Sequence, residues 1–445
     1  MASFFVMLYV ALLLIRPQEW VTWMHGFPIL DFVVAGAVIT WLGSVKKEGL
    51  LSAPQNLLML GLFLAVLMSH ARHTFLSFLV RDFRDFGKIV IVYFLVATAV
   101  DSVRRFRWLV FMLVIGALFM SWHGILQAHS ADHTGFGGAT ALVQRELVRV
   151  RGFGLFHDPN DLALMLVAVL PFLFSIATNR RENVPWRLLC ALGMVPLLYC
   201  IYLTNSRGGW LALGVAVVTY VFLLLRNRKV ALALAVGAVI VVFLFAPSRI
   251  RTISADEGAA RGRLMAWGTG NRLLKRYPIF GLGAHRFTEF SSEGRSAHNS
   301  FLLAWAEMGL FGYFFWLGMA MACSKDAWAL SQVDGRDSPR RRAPPGTDPR
   351  GGGGHGKEAD VRQLRRFGVA SLSGLMGFYA AAFFLSRTYV EPLFVMLAMV
   401  VALRLIYERA QGPLEHRFTL SDSKYVLAAE LVSVPALWLL IRIVL

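Results

Sequence analysis

Residues 108–126 read WLVFMLVIGALFMSWHGIL, a run of nineteen residues without a charged side chain. A helix of about 20 apolar residues is long enough to cross the hydrocarbon core of a bilayer. Only helices and closed barrels satisfy their backbone hydrogen-bonding groups in lipid, and barrel strands alternate apolar and polar residues. Because this run does not alternate, it predicts a membrane-spanning helix.

Similar apolar runs recur along the chain and predict about twelve spans. They are residues 1–15, 27–43, 56–69, 86–100, 108–126, 162–178, 188–204, 210–225, 230–246, 300–322, 367–385 and 392–406. A thirteenth run, 426–445, contains Glu430, Pro435 and Arg442 and either spans the membrane or lies on its surface.

The composition of the chain supports the same class of protein. Of the 445 residues, 57% are hydrophobic and 16% are charged, against about 25% charged in an average globular domain. A soluble protein this apolar would not cover its surface with polar groups. A soluble enzyme, a disordered chain and a secreted disulfide scaffold are therefore excluded. We predict an all-α, polytopic integral membrane protein that forms a single membrane domain over residues 1–445.

The distribution of basic residues predicts the orientation of these spans. With the N-terminus inside, the short inner loops hold 11 Lys and Arg in 26 positions, and the outer segments hold 8 in 58. Cytoplasmic loops are enriched in Lys and Arg, so this orientation is favoured. The inner loops are 44–49, 101–107, 179–187 and 226–229, and the outer segments are 16–26, 70–85, 127–151 and 386–391.

Two longer hydrophilic segments contribute to the net charge of +18. Residues 323–366 contain three consecutive arginines and four consecutive glycines, which predicts a flexible basic cytoplasmic loop. Residues 247–299 are predicted outside, yet they hold nine basic residues against four acidic ones. A basic extracytoplasmic loop of this kind suits an anionic, lipid-linked substrate.

Two short motifs stand at predicted outer ends of spans. In HDPNDL, residues 157–162, Asp158 suits the N-cap of a helix and Pro159 its first position. That helix N-terminus is either only well capped or helps to bind an anion. In TNSRGGW, residues 204–210, Arg207 lies between two apolar runs. It either reaches a lipid phosphate or serves a functional site.

The large external loop and the span after it carry further candidates. Arg263 and Trp267 share a face if their segment is helical, and an arginine fork matches phosphate oxygens. His298 precedes the tenth span, where it would accept a proton near neutral pH or be satisfied by local hydrogen bonds. Glu307 lies within that span, where we expect it to pair with an arginine or to line a cavity.

The motifs HDPNDLA, LTNSRGGWL, GRLMAW followed by YPIFGLG, and HNSFLLAWAEMGLFG resemble the O-antigen ligase and polymerase superfamily. The resemblance covers a core of about residues 150–320. Its bacterial members are polytopic glycosyltransferases that use a polyprenyl-diphosphate-linked glycan outside the plasma membrane, without a metal, nucleotide or other cofactor. The resemblance implies that Arg207 and Arg263 bind the donor diphosphate and that His298 activates the acceptor hydroxyl.

The neighbouring polar and aromatic residues of the same segments are further candidates for substrate binding. They are Asp158, Asn160, Ser206, Trp267, Arg272, Arg286, Asn299 and Glu307.

The resemblance favours a metal-independent, inverting glycan ligase in the bacterial inner membrane with its active site on the periplasmic face. Its expected partners are an undecaprenyl-diphosphate-linked glycan donor, a glycolipid or glycan acceptor such as lipid A core, and the bilayer, with no nucleic acid. A polymerase or a protein O-glycosyltransferase shares the motifs. A transporter of the lipid-linked glycan is the alternative from a different class. Transporters usually show internal repeats and mid-membrane charges, whereas the notable polar residues here cluster at the predicted outer face.

Overall fold

The computed structural model of the chain describes residues 1–44, 50, 52–71, 76–144, 147–225, 227–244, 257–291, 294–333 and 354–444. These residues are mostly helical. The helices are α1 (Ala2–Ile15), α2 (Pro17–Trp20), α3 (Ile29–Leu42), α4 (Pro54–Met68), α5 (Leu76–Ala99), α6 (Val103–His129), α7 (Pro159–Ala177), α8 (Val184–Leu203), α9 (Arg207–Leu224), α10 (Arg228–Leu244), α11 (Glu257–Arg276), α12 (Phe287–Phe290), α13 (Ser300–Gln332), α14 (Gly354–Ala382), α15 (Glu391–Gln411) and α16 (Ser423–Val444).

Each of the predicted apolar runs overlaps a helix, so the class of an all-α polytopic membrane protein is confirmed. Seven helical segments among the described residues are long and apolar enough to cross a membrane, and α3 and α4 are apolar but shorter. The predicted number of about twelve spans stays a prediction. The seven are Ala2–Trp20, Val103–His129, Pro159–Ala177, Val184–Leu203, Arg207–Leu224, Ser300–Gln332 and Leu420–Ile443.

Helix α15 lies at the centre of the molecule. Every residue from Pro392 to Ile406 is buried, and the helix packs against α5, α13 and α14. A helix that is apolar on all sides must be surrounded by other helices or by lipid. Its one buried charge, Arg404, is paired with Asp326 of α13 at 2.8 Å, as an interior charge requires.

Helix α13 is interrupted at Gly309, whose φ of 64° and ψ of −169° are not helical. We call residues 300–308 the short arm and residues 310–332 the long arm. At 1.5 Å per residue the long arm extends about 35 Å, enough to cross a bilayer by itself. The predicted span 300–322 therefore included a short arm that is not needed for crossing.

The two arms of α13 fold back on each other. The rings of Phe301 and Trp316 are 5.1 Å apart, and those of Trp305 and Tyr313 are 5.4 Å apart. In a straight helix fifteen residues would extend about 22 Å. The contacts therefore require a sharp bend at Gly309.

The YPIFGLG segment, residues 277–283, holds this bend closed through backbone hydrogen bonds. The bonds run from Leu310 N to Pro278 O at 2.8 Å, from Phe311 N to Ile279 O at 3.0 Å, from Leu282 N to Ala306 O at 3.2 Å and from Gly283 N to Glu307 O at 3.0 Å. They satisfy backbone groups that a helix break leaves unpaired. A Cβ at Gly309 would lie 2.2 Å from Ile279 O, so this close approach requires glycine.

Helix α4 runs antiparallel to the long arm. Gln55 near its start donates to Asp326 at 2.6 Å, and Gly61 packs so closely that a Cβ there would lie 2.2 Å from the Phe315 ring. Just past its end, the Ser69 hydroxyl accepts from the Ala284 amide at 3.0 Å. The bend at Gly309 therefore lies at the end of α4 that is predicted to face outside.

Both long hydrophilic segments contain helical residues. Within 247–299, residues Glu257–Arg276 form α11, whereas 247–256 and 292–293 lie outside the described residues. Within 323–366, α13 continues to Gln332 and α14 begins at Gly354, so the predicted flexible loop was too long at both ends. The loop bounds were wrong because an apolar run marks only the membrane-spanning part of a helix and does not include its polar ends. Residues 334–353 lie outside the described residues.

An antiparallel β-hairpin lies in the predicted outer segment 127–151. Strand β1 (Leu142–Gln144) pairs with β2 (Leu147–Arg149), with Leu142 opposite Arg149. The hairpin stands between α6 and α7, and its last residue reaches the site described next.

Candidate active site

The HDPND motif forms the capped N-terminus of α7, as predicted. The Asp158 carboxylate accepts from the Asn160 amide at 2.7 Å, and Pro159 occupies the first helical position. Asp158 also accepts from the Asn160 side-chain amide at 2.7 Å, which leaves the Asn160 carbonyl oxygen turned toward other partners. This cap fixes both side chains at the start of α7.

The NSRGG motif forms a tight reversal between α8, which ends at Leu203, and α9, which begins at Arg207. Asn205 makes the turn with a φ of 49°. The Ser206 hydroxyl caps α9 by accepting from Gly209 N at 3.0 Å, and it donates to Asn160 Oδ1 at 2.7 Å. The structure thus brings two motifs 46 residues apart into contact and places the exposed Arg207 beside them.

Arg149, at the end of the β-hairpin, joins the same two motifs. Its Nε donates to the Thr204 carbonyl at 3.1 Å, and its Nη2 donates to Asn160 Oδ1 at 3.2 Å. Arg149 is 7% exposed. No motif pointed to this arginine, because its short strand gives no distinctive sequence pattern.

Helix α11 brings Arg263 to the site. One turn after Arg263, the buried Trp267 donates from Nε1 to the Ala297 carbonyl at 2.9 Å and packs edge-on against Phe383. Trp267 therefore anchors α11 to the residue before His298. Arg263 is exposed. Arg272, nine residues after Arg263 on α11, donates to the Thr269 hydroxyl at 2.8 Å.

His298 immediately precedes the short arm, on a backbone with a φ of 49°. Its amide donates to the Ser386 hydroxyl at 2.8 Å. The next residue, Asn299, is the N-cap of α13 and accepts from the amides of Phe301 and Leu302 at 3.0 Å each. Asn299 therefore acts as the cap of α13. The bond to Ser386 holds the backbone of His298 in place.

The loop between α14 and α15 closes the site with Arg387. The Arg387 guanidinium forms a two-pronged ion pair with the carboxylate of Asp161 on α7. The Arg387 amide donates to the Ser300 hydroxyl at 2.7 Å, and that hydroxyl donates to the Leu385 carbonyl at 2.6 Å. Arg387 thereby ties the start of α7 to the start of the short arm.

The electrostatic surroundings of His298 are cationic. Burial lowers the pKa of His298, and the charges of Arg263, Arg387 and Arg295 lower it further against the opposing charge of Asp158. These contributions hold the pKa of His298 below its ordinary value, which favours the neutral imidazole. A neutral imidazole surrounded by guanidinium groups combines a base with charges that attract phosphate oxygens.

Two predicted substrate-binding residues lie at the other end of the short arm. The carboxylate of Glu307 accepts from the Phe287 amide at 2.9 Å, and the charge of His285 acts on it. The expectation that Glu307 pairs with an arginine or lines a cavity stays a prediction. Arg286 is 7% exposed and pairs with Glu289 at 2.8 Å. Neither residue shares the hydrogen-bonded network of His298.

Within the described residues, no three His, Cys, Asp or Glu side chains are grouped to hold a metal ion.

The fold and this site define a polytopic membrane protein with a cationic site around one histidine. Residues 192–317 match the family model described as O-Antigen ligase, which confirms the resemblance to the O-antigen ligase and polymerase superfamily. The match includes Arg207, Arg263 and His298, whereas Asp158, Asn160 and Arg387 lie outside it. Among curated proteins, no match to the chain is found.

Proposed function

We propose that the protein is a glycan ligase that transfers an oligo- or polysaccharide from undecaprenyl diphosphate to a surface acceptor such as a lipid A core sugar. The active site would face the periplasm at the bacterial inner membrane. The observation that carries this proposal is the position of His298, whose pKa is lowered by burial and by arginines, within the region that matches the ligase family.

In the proposed reaction, His298 takes the proton of the acceptor hydroxyl. The hydroxyl oxygen attacks the anomeric carbon of the donor sugar and forms the new glycosidic bond. The bond from that carbon to the diphosphate breaks, and the leaving diphosphate keeps the electron pair. Attack from the side opposite the leaving group inverts the anomeric centre.

The arginines supply the charge stabilisation that the leaving diphosphate needs. Positively charged groups fixed where negative charge develops are among the largest contributors to catalysis. Arg263 lies in the electrostatic surroundings of His298, and Arg207 follows the serine that is bonded to Asn160. We assign both to the donor diphosphate, with no metal or nucleotide required.

The test is the size of the glycan that remains on the polyprenyl lipid after deletion of the protein from its host. Long polymers stranded on the lipid are expected, with restoration by the wild-type chain as the control. Accumulation of single repeat units would contradict the ligase and indicate a polymerase. Absence of glycan at the outer leaflet would indicate a transporter.

A further inference from the structure

A second buried polar cluster lies at the bend of α13, at the far end of the short arm from His298. The Asp82 carboxylate, on α5, is bonded to a histidine through each of its oxygens. Its Oδ2 lies 2.7 Å from His70 Nε2, and its Oδ1 lies 3.1 Å from His285 Nδ1. The side chains of Asp82 and His70 are 4% and 3% exposed, whereas that of His285 is 40% exposed.

The backbone around His285 is fixed on both sides. The amide before it, of Ala284, donates to the Ser69 hydroxyl at 3.0 Å, and the Phe287 amide donates to Glu307 at 2.9 Å. His285 itself has a φ of 59°. Non-glycine residues rarely adopt this conformation, and such strained positions concentrate at functional sites.

One aromatic ring packs against His285, and two others pack against the neighbouring Arg286. The Tyr389 ring lies 4.5 Å from the imidazole. The neighbouring Arg286 guanidinium lies 5.2 Å from the Phe78 ring and 5.5 Å from the Phe290 ring. Apolar and aromatic surface with a few fixed polar groups is typical of sites for small polar ligands.

The hydrogen bond between Asp82 and His285 determines which ring nitrogen of His285 can contact a ligand. A buried carboxylate that accepts from Nδ1 orients an imidazole and leaves its Nε2 directed elsewhere. Burial alone would lower the pKa of His285, but the hydrogen bond to Asp82 and the charges of Glu307 and Asp82 outweigh it and raise the pKa. A raised pKa favours the protonated imidazole, in which Nε2 donates a hydrogen bond while Nδ1 donates to Asp82.

We propose that the cluster is a saccharide-binding site in which His285, held by Asp82, donates a hydrogen bond to an oxygen of the acceptor glycan. This inference rests on the proposed ligase function. The nine residues of the short arm extend about 13 Å. His285 would therefore contact a different sugar ring from the one whose hydroxyl reacts beside His298.

The experiment measures binding of the delipidated core oligosaccharide from the host's lipopolysaccharide to the purified full-length protein, by saturation-transfer NMR titration. We expect His285→Ala and His285→Gln each to weaken binding about tenfold, which is the effect of losing one charge-assisted hydrogen bond. Asp82→Asn should weaken binding less, because the donor remains and only its orientation and charge change. His129→Ala is the matched control, since His129 is exposed and contacts Tyr199 on a different part of the surface.

Unchanged affinity in both His285 variants would overturn the proposal, as would absence of binding by the wild-type protein. His285→Gln is included in case the alanine variant misfolds. Size-exclusion chromatography checks that each protein is folded and elutes as a single species. Binding is measured without turnover. Oligosaccharide that binds through His285 but is never extended would contradict the ligase function and leave this site in place.

Discussion

The two ends of the short arm of α13 present the same side chain in opposite settings. His298 and His285 both have a positive φ, at 49° and 59°. Burial and nearby arginines lower the pKa of His298, whereas a hydrogen bond to a buried carboxylate outweighs burial and raises the pKa of His285. In the proposed function these surroundings give two chemically identical groups different roles, a base at His298 and a hydrogen-bond donor at His285.

The two ends also differ in how they are assembled. The His298 end is built from the starts of α7 and the short arm, the loop before α15, and α11. The His285 end depends on the backbone bonds that hold the bend at Gly309. Each end can therefore be perturbed separately.

The largest expected effect is at the bend. Gly309→Ala should lower the free energy of unfolding by about 3–5 kcal/mol, because the backbone conformation is nearly restricted to glycine and a Cβ would meet Ile279 O. Gly237→Ala is the control, since nothing lies within 4 Å of its added Cβ, and it should change stability by no more than about 1 kcal/mol. Denaturant titration in detergent measures both. Equal stabilities of the two variants would show that the bend does not depend on glycine.

A smaller effect is expected at the opposite end. Asp161→Asn removes the carboxylate that holds Arg387. Breaking a partly buried ion pair costs about 3 kcal/mol. If that energy is lost from the positioning of His298, the turnover number should fall roughly 100-fold. The measurements are the rate of transfer and the affinity for the donor. The affinity should change less than threefold. Asp132→Asn, on the exposed side of the outer segment, is the control. A loss of folded protein that fully accounts for the lost activity would reduce Arg387 to a structural role.

The smallest expected effect is a shift in the pH dependence of transfer, which reports on His298. Arg263→Ala removes a charge that lowers the pKa of His298, so that pKa should rise. Because the base must be neutral, the acidic limb of the pH profile of kcat/KM should move to higher pH. Lys275→Ala, on the same helix, should leave the limb in place. An unmoved limb in Arg263→Ala would mean that His298 is not the titrating base.

Much of the fold could be predicted from the sequence, because long apolar runs leave few alternatives to membrane helices. The caps at Asp158 and Ser206 and the reversal before Arg207 also follow from local rules. The bend at Gly309 could not be predicted, since it depends on residues 277–283 bonding to both arms. A periodic apolar pattern continues across that glycine without a break.

The site was only partly predictable for a similar reason. His298 and Arg207 stand in recognisable motifs at helix starts, and Arg263 stands in a motif inside α11. Arg149 and Arg387 lie in short segments without motifs, and their partners are 11 and 226 residues away. Only the packed structure reveals that these arginines hold the ends of several helices together.

The most direct test of the account is the comparison of donor binding and transfer in His298→Ala. Loss of a general base should reduce transfer at least about 100-fold, while the affinity for the polyprenyl-diphosphate-linked glycan stays within threefold of wild type. His129→Ala, measured beside it as the control, should retain transfer. Equal loss of donor binding and transfer in His298→Ala, or transfer that persists, would contradict the assignment of His298 as the base.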